Sequence, residues 1–340
     1  MAGKKQHHVW QMLQRGFSWR EHNDSHVWVY RRDEAPKQTV TRKFGRESHF
    51  YGEEGSAADV NITDFENSMQ EFIHESRTKS DGEPVDTKLA AALVAHLEMR
   101  SLFLRDEISR LGDRVFKFVR DSFSSEKKFS TIMMSYLKNH PEHFQVEMDK
   151  LSIPKEMQGA LTDLLMQAAP EKIKEIAGET AQHFSFLYEA MATSLAETVK
   201  SSHNKALETN FSEIKRTEGH KAMVFNVMRC MNDDFILPDT SLAFFGKRGC
   251  FPISQKDDKL ETIILPLSSR VAIIGHSDPS FKRDVPVIQR ALAGCSYQAF
   301  LSPRKGDDLV KLSGRISRNA RLLTESEIRS IIRFESLLNI

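Results

Sequence analysis

The chain has 340 residues, 40% hydrophobic and 28% charged, with 48 Lys and Arg against 47 Asp and Glu. That is an ordinary globular balance, and a net charge of +1 excludes a global field that would by itself direct the chain to nucleic acid or to a membrane. Three cysteines, Cys230, Cys250 and Cys295, form no CxxC pair, and their odd number argues against a disulfide framework.

The first residues, MAGKKQHH, lack the apolar run of a secretory signal, and no stretch of about 18 apolar residues occurs. A cytoplasmic protein with no membrane partner is expected. Residues 1–18 carry Trp10, Met12, Leu13 and Phe17 among polar residues, the pattern of either a short helix or an extended arm. His26 to Tyr30 (HVWVY) is β-branched and aromatic and predicts a strand. Residues 31–48 are a charged loop with a second strand near Thr39–Arg42, and Phe50-Tyr51 is an aromatic island. Asp64 to Glu75 reads as a helix capped by Thr63, with Glu66 three residues on as a capping box. Residues 76–86, with Gly82 and Pro84, form a polar break.

From about 87 to 230 apolar residues recur at spacings of three and four, with breaks expected at Gly112, Pro141, Pro154 and Pro170. Lys172 to Lys200 reads as one long helix. Strand patterns then return at Asp234–Phe245, Cys250–Ile253 and Glu261–Ile274, the last with a turn at Leu267–Arg270. Helices are expected over Val287–Ala293, Leu309–Arg321 and Glu325–Leu338, the last capped by Thr324 or Ser326. The fold class is α+β: a mixed sheet of N- and C-terminal strands with a large helical central block. Residues 1–80 (arm, strands and first helix) and 231–340 (β-rich, with closing helices) are expected to pack as one split domain around a helical block at 87–230.

The opening Gln6-His7-His8-Val9-Trp10-Gln11, followed by Arg15 and Phe17, resembles a known signature. Val27–Tyr30, Phe50-Tyr51, Leu97–Arg105, Phe235–Ser241 (FILPDTS), Leu265–Ser268 (LPLS) and Ile316–Ala320 (ISRNA) extend the likeness in the same order. The set is similar to the domain of unknown function 4238 family, found largely in bacteria. Its members typically open Gln-His-Tyr-Val-Pro-Gln; here His8 replaces the tyrosine and Trp10 the proline, and Gln14 stands where leucine is usual. The resemblance implies no established activity, only an association with bacterial defence and conflict genes.

Several residues carry possible chemistry, each beside a structural alternative. Arg100 interrupts the stripe Leu89, Leu93, Leu97, Leu104, Ile108 and Leu111. A buried guanidinium demands a carboxylate or a bound anion, and His96 lies four residues before it. Asp239, at a strand end, suits a metal ligand or an acid/base, or equally a turn. His7 can act as an acid/base if the arm covers a cleft, or it can pack by hydrogen bonding. His7 and His8 are too close in sequence to share a metal readily. Glu66 and Glu71 could join Asp239 around Mg²⁺ or Mn²⁺, though capping is a competing role for Glu66. Lys311, Arg315, Arg318 and Arg321 recur at helical spacing, which fits a phosphate-contacting face or a solvated one.

No P-loop, GxGxxG, HExxH, GxSxG or zinc-type cysteine pattern occurs. Two functional readings follow. One is a defence or conflict-system effector acting on nucleic acid or another phosphate-bearing substrate. Its catalytic residues would be His7, Asp239 and Glu66, with Arg15, Arg100, Arg315 and Arg318 binding the anion. The other is a non-enzymatic regulator, adaptor or inhibitor that binds a protein partner through helical faces such as Met133, Met134 and Tyr136.

Overall fold

The computed structural model describes residues 5–208, 215–255, 259–278, 284–324 and 326–327. The chain forms two compact units: Met1–Glu107 with Lys200–Leu322, and Ile108–Val199 with Leu323–Ile340. The elements run β1 (Lys5–His7), α1 (Gln11–Arg15), β2 (Trp19–Glu21), β3 (Asp24–Tyr30), β4 (Lys37–Val40), β5 (Arg46–Ser48), α2 (Ala57–Ser68), α3 (Gln70–Thr78), α4 (Thr87–Met99), α5 (Leu102–Phe123), α6 (Glu126–Asn139), α7 (Glu142–Lys150) and α8 (Lys155–Leu207). They continue with α9 (Lys215–Lys221), β6 (Val224–Arg229), β7 (Leu237–Pro238), β8 (Ala243–Gly246), β9 (Gly249–Phe251), β10 (Leu260–Pro266), β11 (Val271–His276), α10 (Val285–Cys295), β12 (Phe300–Ser302) and α11 (Asp307–Ser313). The fold is α+β.

The expectation of one mixed sheet is corrected. All pairings between these strands are antiparallel, and they build three sheets. β1 pairs with β5. The order β6-β11-β10-β8-β9 makes a C-terminal sheet, and β2-β3-β12-β7, with β4 also on β3, joins the two ends of the chain. Strand β3 is the hinge of that joining. His26 opposes Trp19 of β2 and also Val40 of β4, while Trp28–Tyr30 oppose Ser302–Phe300 of β12. Pro238 lies in β7, which pairs only with β12, an edge position where a missing N–H costs nothing.

The run Glu261–Ile274 is the hairpin its pattern predicts. Ile264 opposes Ile274 across β10 and β11, and Leu267 and Ser268 donate to the Val271 carbonyl at 2.9 and 3.0 Å to close the turn. Consecutive residues on these strands, Ile263-Ile264-Leu265 and Ala272-Ile273-Ile274, are buried, so both faces of the hairpin are covered. Helix α4 is covered on every side: Ala90 to Glu98 are all buried, the mark of a helix without a solvent face. Asp86 caps it by accepting from the Leu89 N–H at 2.9 Å.

Other boundaries move. The helix expected from Asp64 begins at Ala57, because Ser56 and not Thr63 supplies the cap, accepting from the Asp59 N–H. Thr63 and Glu66 are therefore interior residues of α2. A separate helix, α3, starts at Gln70. The stripe through Arg100 is not one helix: α4 ends at Met99, Arg100 is its C-cap, and α5 starts at Leu102. Gly112 does not break α5; an added Cβ there would lie 3.3 Å from Val199 Cγ2, so the glycine makes room for α8. Pro170 lies inside α8. Residues 224–229 form strand β6 and belong, with α4 and α9, to the first unit, so the inserted helical segment is shorter than 87–230.

The helix expected over Leu309–Arg321 stops at Ser313, and Ser317 has a left-handed φ of 63° that no helix continues. Thr324 is a capping box with Glu327, its N–H donating to the carboxylate at 2.8 Å and its hydroxyl accepting from the Glu327 N–H at 3.4 Å. Apart from Ser326 and Glu327, the helix expected over Glu325–Leu338 falls outside the described residues. No helix among the described residues is long and apolar enough to cross a membrane.

Candidate functional site

A cavity of about 450 Å³ opens in the first unit between the N-terminal arm, the Tyr51 loop, α2 and the Arg100 cap. His7, Arg15, Glu66 and Arg100 all line it. Asp239, Arg315 and Arg318 do not.

Arg100 organises the cavity. It is 1% exposed, and every nitrogen of its guanidinium is engaged. Nε donates to the Tyr51 hydroxyl at 2.9 Å, one terminal nitrogen meets Glu66 and lies 3.0 Å from His96 Nε2, and the other donates to the His7 carbonyl. One side chain thus ties the arm, the Tyr51 loop, α2 and α4 together. Arg100 is the C-cap residue of α4, with φ −89° and ψ −1°, and its guanidinium meets Glu66 of α2. Its carboxylate partner is Glu66, not Asp239. With its donors turned on protein atoms, Arg100 is a positioning group, which corrects its expected role as the anion ligand.

Tyr51 and Gln6 extend the network. The Tyr51 hydroxyl donates to the His7 carbonyl at 2.9 Å, and its backbone N–H donates to Gln6 Oε1 at 2.6 Å. Gln6 Nε2 donates to Asp59 Oδ1 at 2.9 Å, and Asp59 Oδ2 accepts the Gly55 N–H at 3.1 Å. Arg77 closes the far side, donating to the Leu267 carbonyl at 2.7 and 3.1 Å and to the Met12 carbonyl at 3.0 Å. Arg15 is exposed and donates to Gln11 at 3.0 Å, and Lys5 is exposed beside it on the lining.

Burial, seconded by the field of these cations, governs the titrating groups. Burial first, then the Arg100 charge, lowers the His7 imidazole to about 4, with Arg46 and Arg15 adding to the fall. His8, buried by the same arm, is lowered to about 3 for the same two leading reasons. Burial pushes the Tyr51 phenol up to about 12 and brings the Arg77 guanidinium down to about 10. Burial also raises the Glu66 carboxyl while Arg100 opposes it. His96 is held neutral by burial and by the guanidinium beside it, and stacks on Phe65 at 4.4 Å. His7 is therefore an uncharged imidazole at neutral pH, which corrects its expected role as an acid in the free protein. Its Nε2 is buried with no hydrogen-bond partner among the described residues.

Asp239 serves a different purpose. Its carboxylate accepts the backbone N–H groups of Tyr297 and Gln298 at 2.7 Å and of Ala299 at 3.0 Å. Burial raises it to about 6 against those three bonds. It fixes the entry into β12, so its expected catalytic and metal-binding roles are replaced by a turn-forming one. Glu66 is committed to Arg100 and Asp239 to three backbone N–H groups, and Asp239 does not line the cavity that Glu66 lines, so the expected Glu66–Asp239 metal pair is not assembled. Arg315 and Arg318 follow the end of α11 and share no helical face with Lys311.

The sequence alone missed Lys5, Gln6, Tyr51, Asp59 and Arg77 as parts of this site. Tyr51 had a usable signal: a buried phenol seeks a hydrogen-bond partner, and an aromatic pair just before a glycine loop is a natural place to bury one. Asp59 had another, lying three residues after Ser56 in a capping spacing. The chain matches no protein-family model, no curated protein and no solved structure.

Proposed function

We propose that the protein binds a phosphate-bearing anion in the cavity of its first unit, and that nucleic acid or a nucleotide supplies it. The observation that carries this reading is the charge inventory. Lys5, Arg15, Arg77 and Arg100 line the cavity against Asp59 and Glu66. Glu66 is held by Arg100, and Asp59 by Gln6 and the Gly55 N–H. The net positive charge that remains adds to burial, the leading cause, in lowering His7. Such a site favours a phosphate through charge-assisted hydrogen bonds from Lys5 and Arg15. The likeness to the domain of unknown function 4238 family supports a bacterial defence or conflict setting for the same site.

The test is titration of the full chain with single-stranded and duplex oligonucleotides and with nucleotides. Each is run with and without Mg²⁺ or Mn²⁺, and turnover is followed in the same samples. Saturable, salt-sensitive binding that weakens in Lys5→Ala and Arg15→Ala supports the reading. No binding at low salt, or binding indifferent to both variants, overturns it.

A second reading, protein-partner binding through the helical insertion, is favoured by exposed apolar side chains on α7, α8 and the turn between them. Leu151 is 74% exposed, Leu164 68% and Met157 54%. Met133, Met134 and Tyr136, expected to form that surface, are instead half-buried. Leu151→Ser/Leu164→Ser that abolishes a partner complex without altering anion binding would favour it.

A further inference from the structure

A second cluster lies in the other unit, at the junction of α6 and α7. Pro141 disfavours helical backbone at the residue before it, and His140 accordingly leaves the helix with φ −128° and ψ 58°. The chain re-enters a helix at Glu142. This break folds His140, Glu142 and His143 onto one corner. One potential ligand atom from each lies within 4.8 Å of the other two.

His140 Nδ1 and Glu142 Oε1 are 2.8 Å apart, and the two imidazole centroids are 5.8 Å apart. A hydrogen bond of 2.9 Å joins Tyr136 Oη to His143 Nε2 and fixes that ring. The other nitrogen of His140, Nε2, is buried with no hydrogen-bond partner among the described residues. The side chain of His140 is 20% exposed and that of Glu142 59%, so the corner is open to an ion from solution.

We propose that His140, Glu142 and His143 form a binding site for a divalent transition ion of the Zn²⁺ class. Two imidazoles and one carboxylate suit a borderline-soft ion, whereas Mg²⁺ and Ca²⁺ call for oxygen ligands. Three protein ligands leave a fourth position for water. In a tetrahedral site with bonds of about 2.0–2.1 Å the ligand atoms lie about 3.3 Å apart, whereas here His140 Nδ1 and Glu142 Oε1 are 2.8 Å apart and the whole set lies within 4.8 Å, so binding opens that hydrogen-bonded pair and readjusts the three side chains around the ion. The Tyr136 hydroxyl is the outer partner that holds one ring in place, as metal-bound histidines usually require. The proposal concerns the helical unit alone and does not rest on the anion site of the other.

Calorimetric titration of the full chain with Zn²⁺, with Mg²⁺ as comparison, tests it. One-to-one Zn²⁺ binding is expected, with no saturable Mg²⁺ response. His140→Ala and Glu142→Gln are each expected to weaken Zn²⁺ by about 10-fold or more, and Tyr136→Phe by about 10-fold. Circular dichroism confirms that each variant is folded, and the exposed Glu142→Gln serves if a histidine variant is not. Absorption bands of four-coordinate Co²⁺ in the wild type give a second readout. Absence of one-to-one Zn²⁺ binding overturns the proposal. So does binding unchanged in His140→Ala and Glu142→Gln, which would place the ion on other histidines of the chain.

Discussion

Arg100 and Glu66 are 34 residues apart in sequence and joined by an ion pair in which the guanidinium is 2% and the carboxylate 22% exposed. The pair is the centre of a contact set that joins arm, loop, α2 and α4 at one point. Removing Arg100 leaves a carboxylate, a phenol, an imidazole and a carbonyl without their common donor. Breaking one partner of such a pair costs about 3–5 kcal/mol, and Arg100→Ala is expected to fall in that range. Glu66→Gln keeps an acceptor and is expected to cost less, and the double variant should lose less than the sum of the two. All three tryptophans, Trp10, Trp19 and Trp28, lie in this unit, so urea unfolding followed by tryptophan fluorescence reads it directly. A loss below about 1 kcal/mol in Arg100→Ala would show that the network is dispensable.

Gly16→Ala should destabilise the junction of the arm with the β10–β11 turn. A Cβ there would lie 2.2 Å from the Leu267 carbonyl oxygen and 2.7 Å from an Arg77 terminal nitrogen. The backbone φ is an ordinary −67°, so the conflict is steric and not conformational. Overpacking of this kind costs about 1–3 kcal/mol, and it would also displace Arg77 from Leu267 and Met12. The same fluorescence assay measures it. An unchanged midpoint would mean that the turn yields freely.

Much of this architecture can be read in the sequence, and the failures have physical causes. The β10–β11 hairpin is legible because two β-branched runs flank a Ser-Ser-Arg turn. His26–Tyr30 is legible for its β-branched and aromatic density. Arg100 was recognisable as a buried charge from its apolar neighbours, but charge logic states only that a partner exists. Whether that partner is Glu66 or Asp239 depends on the helix break at residue 100, which a periodic stripe conceals. Thr63 imitates a cap because Thr-x-x-Glu occurs by coincidence inside α2, while Ser56-x-x-Asp59 supplies the real one. Gly112 imitates a break because the sequence does not record that Val199 approaches it. The cavity itself joins residues 5 to 100 from five segments, a coincidence in space that no local pattern encodes.

The buried histidines make the first unit acid-labile. His8 is lowered to about 3, and His7 and His203 to about 4, each with burial as the leading cause. Their folded values lie below the unfolded value of 6.5, so the stability they contribute is present above pH 6.5 and is lost as pH falls toward 4. Linkage gives about 2 kcal/mol for each at pH 5, an order-of-magnitude figure. The unfolding midpoint should therefore drop steeply between pH 6.5 and 4.5, and His203→Gln should flatten that slope. A midpoint independent of pH across this window would contradict the neutral burial of these rings.

The three thiols should differ in reactivity by burial. Cys230 and Cys295 are buried, and burial raises Cys230 to about 12 and Cys295 well above the ordinary thiol range. Cys250 is half-buried, with its sulfur 3.4 Å from that of Cys295. The thiolate is the nucleophile, so a disulfide reagent at pH 8 should modify Cys250 first and the other two only on unfolding. Peptide mapping identifies the site. Equal modification of all three in the native chain would contradict the burial of Cys230 and Cys295.

Anion binding should be coupled to proton uptake at His7. The imidazole is depressed in part by Arg100, Arg46 and Arg15. A phosphate held by Lys5 and Arg15 offsets that positive field, so the His7 value in the complex must lie above about 4. The protonated form then binds more tightly, and affinity rises as pH falls from the pKa of the complex toward that of the free protein. Calorimetry in two buffers of different ionisation enthalpy, near pH 6, should record net proton uptake by the wild type and much less in His7→Gln. Arg15→Ala should reduce both the affinity and the uptake, because it removes part of the ligand's grip on the site. Uptake that persists unchanged in His7→Gln would place the responding proton elsewhere, and the absence of any uptake would show that the anion binds too far from His7 to alter its field.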